Sequence, residues 1–143
     1  MFANTQSIII NRNRKYVYTV AETYPKFATF YQIRETISQS DDEMIVKVGS
    51  TLFGFPTSWI GQGKKTKFES IEFIQIEGIL KGLIACWKFE ETGLSTKVTI
   101  SSKFILSIPL FGKLLEWIIG TFKVKKTVKL ILEALKKEAE STI

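Results

Sequence analysis

Residues 83–104 read Leu-Ile-Ala-Cys-Trp-Lys-Phe-Glu-Glu-Thr-Gly-Leu-Ser-Thr-Lys-Val-Thr-Ile-Ser-Ser-Lys-Phe, and their period of two decides the fold. Leu83, Ala85, Trp87 and Phe89 alternate with Ile84, Cys86, Lys88 and Glu90, so one face is wholly apolar. Thr96, Val98, Ile100, Ser102 and Phe104 alternate in the same way with Lys97, Thr99, Ser101 and Lys103. Only Thr92-Gly93 and its neighbours separate the two runs, and a connection that short joins antiparallel strands, because parallel neighbours need a long crossover. The pair therefore reads as a hairpin with one wet and one covered face.

The same alternation runs back to Gln32. Gln32–Gln39, Glu43–Phe53, Pro56–Gln62, Thr66–Glu77 and Gly82–Glu91 read as strands before Ser95–Leu106, punctuated by Ser40-Asp41-Asp42, Gly54, Gly61-Gln62-Gly63 and Gly78. Upstream, Gln6–Asn11 carries a β-branched run and reads as a strand. Asn11 or Asn13 then caps a helix through Tyr24, and Pro25 opens a second short one over Lys26–Phe30. Beyond Pro109 the period becomes helical: Leu114, Ile118 and Phe122, then Val128, Ile131, Leu132, Leu135 and Ala139. Gly120 marks a kink or a break in that stripe. One strand, two short helices, six strands and a long terminal helix make an α+β domain with the helix laid across the sheet. Neither a repeat nor a linker divides residues 1–143, so a single domain is expected.

Composition narrows the chemistry. The 143 residues carry a net charge of +6, 45% hydrophobic and 13% aromatic residues, no histidine and one cysteine. That apolar content builds a core and excludes disorder. The missing histidine excludes Ser-His-Asp and Cys-His catalysis and any imidazole metal site. Cys86 alone forms no internal disulfide, which points to a reducing, cytoplasmic setting, and without a base nearby it reads as packed and unreactive. Residues 1–6 lack the pattern of a secretory signal. Phe104–Phe122 contains Pro109, Lys113 and Glu116, and central charges at about 2.5–3.5 kcal/mol each argue against a membrane span.

The order of elements resembles the helix-grip fold of START-like lipid-transfer, polyketide-cyclase and plant-allergen proteins. Within that superfamily it is most similar to the branch of coenzyme Q-binding proteins and ribosome-association toxins. The resemblance is carried by Thr23-Tyr24-Pro25-Lys26-Phe27, Ile45-Val46-Lys47-Val48-Gly49, Glu77-Gly78-Ile79-Leu80-Lys81-Gly82-Leu83 and Trp87-Lys88-Phe89. It departs from the pattern at Ile79, which follows Gly78 where the family tends to carry proline. The resemblance implies a curved antiparallel sheet of seven strands wrapped around the long C-terminal helix, with two short helices after strand one.

A sheet gripping a helix leaves room for a mostly apolar pocket. Val46, Val48, Phe73, Trp87, Phe89, Val98 and Ile100 are the expected lining from the sheet, and Leu114, Trp117, Ile118 and Phe122 from the helical region. Glu72 shares a face with Phe68, Ile74 and Ile76, and Glu35 with Ile33 and Ile37, so these two are the candidate polar groups. Glu69 and Glu77 lie on the same strand as Glu72, and Asp41-Asp42-Glu43 reads as a solvated turn. No catalytic residue, metal ligand or cofactor is assigned.

Three functions follow in order. The first is non-enzymatic binding or transport of a hydrophobic small molecule, such as a lipid, isoprenoid quinone or polyketide. The second is a cyclase/aromatase-type enzyme using the same cavity with Glu72 or Glu35 as acid–base group. The third is a ribosome-associating regulatory module. From Pro109 onward seven lysines stand against four glutamates. Those lysines fit peripheral contact with an anionic membrane, and ribosomal RNA less well, since no arginine–aromatic interleaving accompanies them. Oligomeric state is left open.

Overall fold

In a computed structural model, residues 1–22, 32–52, 55–78, 81–105 and 112–141 are described. Strand β1 (Phe2–Ile10) leads into helix α1 (Arg14–Glu22), followed by β2 (Gln32–Gln39), β3 (Glu43–Leu52), β4 (Phe55–Thr66), β5 (Ser70–Glu77), β6 (Ile84–Thr92) and β7 (Ser95–Phe104). Helix α2 (Gly112–Ile119), a π turn (Gly120–Val124) and helix α3 (Lys125–Ser141) complete the order. The strands form one antiparallel sheet in the order β1-β7-β6-β5-β4-β3-β2. The short helix expected over Lys26–Phe30 lies outside the described residues.

The β6–β7 hairpin turns where the sequence places it, with Thr92 paired to Ser95 and Gly93 at φ +67, a conformation that costs glycine nothing. Three strands differ from expectation, β5 starting at Ser70 rather than Thr66. β1 starts at Phe2 rather than Gln6, because its polar Asn4-Thr5-Gln6 stretch pairs with β7 all the way from Phe2↔Phe104 to Ile10↔Thr96. β4 runs unbroken through Gly61-Gln62-Gly63, which are paired on both sides and form no turn. The turn falls instead at Lys67-Phe68-Glu69, closed by the Glu69 N–H donating to the Thr66 carbonyl at 2.9 Å. Phe68 sits there at φ +65, a conformation that costs a non-glycine residue about 1–2 kcal/mol. Its ring recovers contact edge-on against Tyr18 at 5.5 Å and beneath the ammonium groups of Lys15 and Lys67.

The main core joins β1, β5, β6 and β7 to α1 and α3. Tyr18 is fully buried, with its ring edge-on to Phe89 at 5.3 Å. Burial, and after it the Glu22 carboxylate, pushes its phenol up to about 12. Asn13 caps α1, its side-chain oxygen accepting the Tyr16 N–H at 2.9 Å. Helix α3 is strapped along β1: the Gln6 amide donates to the Lys125 carbonyl at 2.9 Å, and the Lys136 ammonium to the Ile9 carbonyl at 2.7 Å. At the far end the Asn11 N–H donates to the Glu140 carboxylate at 2.8 Å, which holds that carboxyl below its ordinary range. The helix thus lies nearest β1, on one side of the sheet's inner face.

Candidate functional site

The inner face continues over β3, β4 and β5, away from the strapped helix. Cross-strand register places Val46 beside Gly61 and Gly61 beside Gln75. One step along, Met44 lies beside Gly63, Gly63 beside Phe73, and Phe73 beside Ala85. The two glycines remove side chains from the middle strand, and aromatic rings lie over the bare backbone. A Cβ on Gly61 would stand 2.6 Å from the Trp59 ring, and one on Gly63 would stand 2.9 Å from the Phe73 ring. Phe73 in turn packs edge-on to Trp87 at 6.3 Å. Gln75 is buried at the end of this surface, with its amide and Trp59 both closing on Gly78. The result is an aromatic floor with one buried amide, a surface suited to apolar molecules with a polar end.

The expected lining residues distribute unevenly. Trp87, Phe89, Val98 and Ile100 are buried within the main core, where they pack directly against α1, α3 or each other. Val46 is buried too, but outside that cluster, on the β3–β5 floor. The side chains of Val48 and Glu35 lie outside the described set; the Glu35 backbone pairs opposite Lys47.

Glu72 is a correction. The inward side of β5 carries Ile71, Phe73 and Gln75, so alternation turns Glu72 outward, opposite Lys64 and Cys86. Taking Phe68 as in phase with the strand misled the reading, since Phe68 belongs to the turn.

Leu114, Trp117 and Phe122 are also corrections. They are 55%, 55% and 48% exposed and face away from the core, while Ile118 is half-buried. On an uninterrupted α-helix the stripe of Val128, Ile131, Leu132 and Leu135 would run back through Val124, Thr121, Trp117 and Leu114. The π turn, in which the Lys125 N–H donates to the Gly120 carbonyl, adds one residue. At 3.6 residues per turn that rotates everything before it by about 100°. The inward stripe becomes Val124, Gly120, Ile119, Glu116 and Gly112. Gly120 fits because the Phe2 ring occupies the place of its missing side chain.

Glu116 is thereby the buried carboxylate of this segment, 5% exposed, with the Met1 ammonium 2.7 Å from its Oε1. Sequence reading passed over it as one more charge on an apolar stretch. Trp59 and Gln75 were missed as well, although two glycines at i and i+2 are a visible sign of a strand with one bare face.

A separate cleft of about 590 Å³, with a mostly apolar lining, opens between Arg14 of α1 and, on the sheet side, Glu69, Ser70, Cys86, Phe89 and Glu91. Its charges pair locally, Arg14 with Glu91 at 3.7 Å and Lys88 with Glu90 at 3.2 Å. Among the described residues no cluster of acidic or sulfur ligands could hold a metal ion.

Residues 17–130 match the model of a family described as polyketide cyclase / dehydrase and lipid transport. No curated protein matches the chain. The crystal structure of TTHA0849 from Thermus thermophilus superposes with a TM-score of 0.85 at 18% identity, over 98% of each chain. The Zhui aromatase/cyclase from Streptomyces sp. R1128 gives 0.78 at 13% identity, over 97% of this chain and 93% of that one. A START superfamily protein from Mycobacterium smegmatis gives 0.74 at 11%, over 97% of each. At these identities the likeness is one of fold.

Proposed function

The chain belongs to the polyketide cyclase/dehydrase and lipid transport family, and from that premise we propose that it binds and carries a hydrophobic small molecule on the β3–β5 floor without transforming it. A lipid, an isoprenoid quinone or a polyketide fits the description. The observation that carries this is the bare-glycine floor, where Trp59 and Phe73 lie over Gly61 and Gly63 and Gln75 supplies one buried polar contact. Each Å² of apolar ligand surface removed from water is worth about 25 cal/mol. A ligand burying about 300 Å² would gain about 7.5 kcal/mol before the costs of association, so retention in the micromolar range, about 8 kcal/mol net, calls for burial of roughly 500 Å² or more.

A second reading rests on Glu116. A buried carboxylate on the gripped helix could move a proton during cyclisation, and the family covers cyclases. Native mass spectrometry of protein expressed in cells, before and after organic extraction, separates the two. The carrier reading expects one apolar compound bound to the wild type, with the same mass bound to Glu116→Gln. A bound compound heavier by one water in Glu116→Gln than in the wild type would establish a cyclising, dehydrating enzyme instead. Absence of any apolar ligand, with none taken up from added fatty acid or quinone, would sink both.

A further inference from the structure

The π turn that removes Leu114, Trp117 and Phe122 from the interior gathers them on the outside. Trp117 meets Phe122 edge-on at 5.9 Å, the Lys126 ammonium stands 5.6 Å from the centre of the Phe122 ring, and Leu130 follows one turn on, 49% exposed. Single exposed apolar residues are ordinary, but a contiguous aromatic and aliphatic patch on a protein surface is a contact site. Its borders are cationic. Lys113, Lys125, Lys126 and Lys129 are exposed, and from Gly112 to Leu132 the one carboxylate is Glu116, which faces inward and is ion-paired.

We infer that this outer face of α2, the π turn and α3 docks the protein on an anionic lipid surface. Trp117 and Phe122 would enter the headgroup boundary, while the lysines meet lipid phosphates around them. An apolar centre with a lysine rim is the composition of helices that lie in the membrane interface. A second copy of the chain fits poorly, because two such faces would bring lysine against lysine with one exposed acid, Glu133, at the far end of the patch. None of the described helices is long and apolar enough to cross a bilayer.

The test is sedimentation with phosphatidylcholine vesicles, with and without about one third phosphatidylglycerol, at about 0.1 M salt. The wild type is expected to pellet with the anionic vesicles only, and less as salt rises. Lys126→Gln with Lys129→Gln should lower partitioning about thirtyfold, and Trp117→Ser with Phe122→Ser at least tenfold. All four side chains are exposed, so thermal unfolding should show both variants folded. Native mass spectrometry should show each retaining whatever ligand the wild type retains, which keeps this inference separate from the cavity reading. The inference is overturned if the wild type ignores anionic vesicles or if the aromatic variant binds them equally well. It is also overturned if the face proves to mediate a concentration-dependent dimer, or to hold RNA while leaving vesicles unbound.

Discussion

Adding a single methyl group at Gly120 sets two opposed effects against each other. In a helix interior alanine is favoured over glycine by about 1 kcal/mol. Here, however, the new carbon would overlap the Phe2 ring near its attachment point, where the ring cannot swing aside cheaply. Phe2 is half-buried and packs against Phe104 at 5.5 Å. Its eviction forfeits about half of a full phenyl burial, near 1 kcal/mol, and a ring pair worth about 0.5–1.5 kcal/mol, with further strain if the π turn shifts instead. Gly120→Ala is therefore expected to destabilise by about 0.5–1.5 kcal/mol and lower the Tm by about 2–5 °C in a circular-dichroism melt. The same change made in a Phe2→Ala background meets no ring, so only the helix preference remains and the Tm should rise by about 3 °C. The sign reversal is the signature of contact between the two residues. If Gly120→Ala destabilises equally in both backgrounds, the penalty belongs to the helix backbone and the seat of Phe2 on Gly120 is irrelevant to stability.

Two further outcomes test the core. Leu135→Ala removes a side chain with no exposed surface at the centre of α3's inward stripe, and should cost about 2–5 kcal/mol in urea unfolding. The matched Leu130→Ala, on the outer face, should stay within about 0.5 kcal/mol of wild type. On alkaline titration followed by phenolate absorbance, Tyr18 should ionise at about 12, well after a phenol in water. Because its folded pKa lies above the ordinary 10, its contribution to stability is complete below pH 10 and declines as pH rises through about 12. Ionisation of all four tyrosines in one transition near the ordinary value would mean that the Tyr18 packing is wrong.

Where one face of a strand was apolar and the other polar, the sequence announced the sheet: β7 follows the alternation residue by residue, and β6 does so from Cys86 to Glu90. The class and the terminal helix were equally legible, since a change of period from two to 3.6 requires no knowledge of the partner surface. Glycine was the ambiguous letter. Gly61 and Gly63 read as a turn because glycine usually serves that purpose, whereas here it makes room for rings from Trp59 and Phe73, a relation visible only once the strands are paired. Glu72 was misplaced because a turn residue, Phe68, was taken as in phase with the strand. The helical aromatics were misplaced because helical periodicity was extended across Gly120 without a change of phase. No local propensity signals a π turn. It is stabilised by tertiary fit, here the Phe2 ring from the other end of the chain.

The extra residue at Gly120–Val124 also changes which kind of mutation matters most in this segment. A substitution there alters one contact, but a one-residue deletion would restore an uninterrupted α-helix. Trp117 and Leu114 would then swing toward the interior, and Glu116 would be carried out toward solvent. Sidedness of the whole preceding segment is thus encoded in chain length rather than in side-chain identity. Relatives that differ by one residue at this point would present a different outer surface while keeping the same amino acids and the same core behind α3.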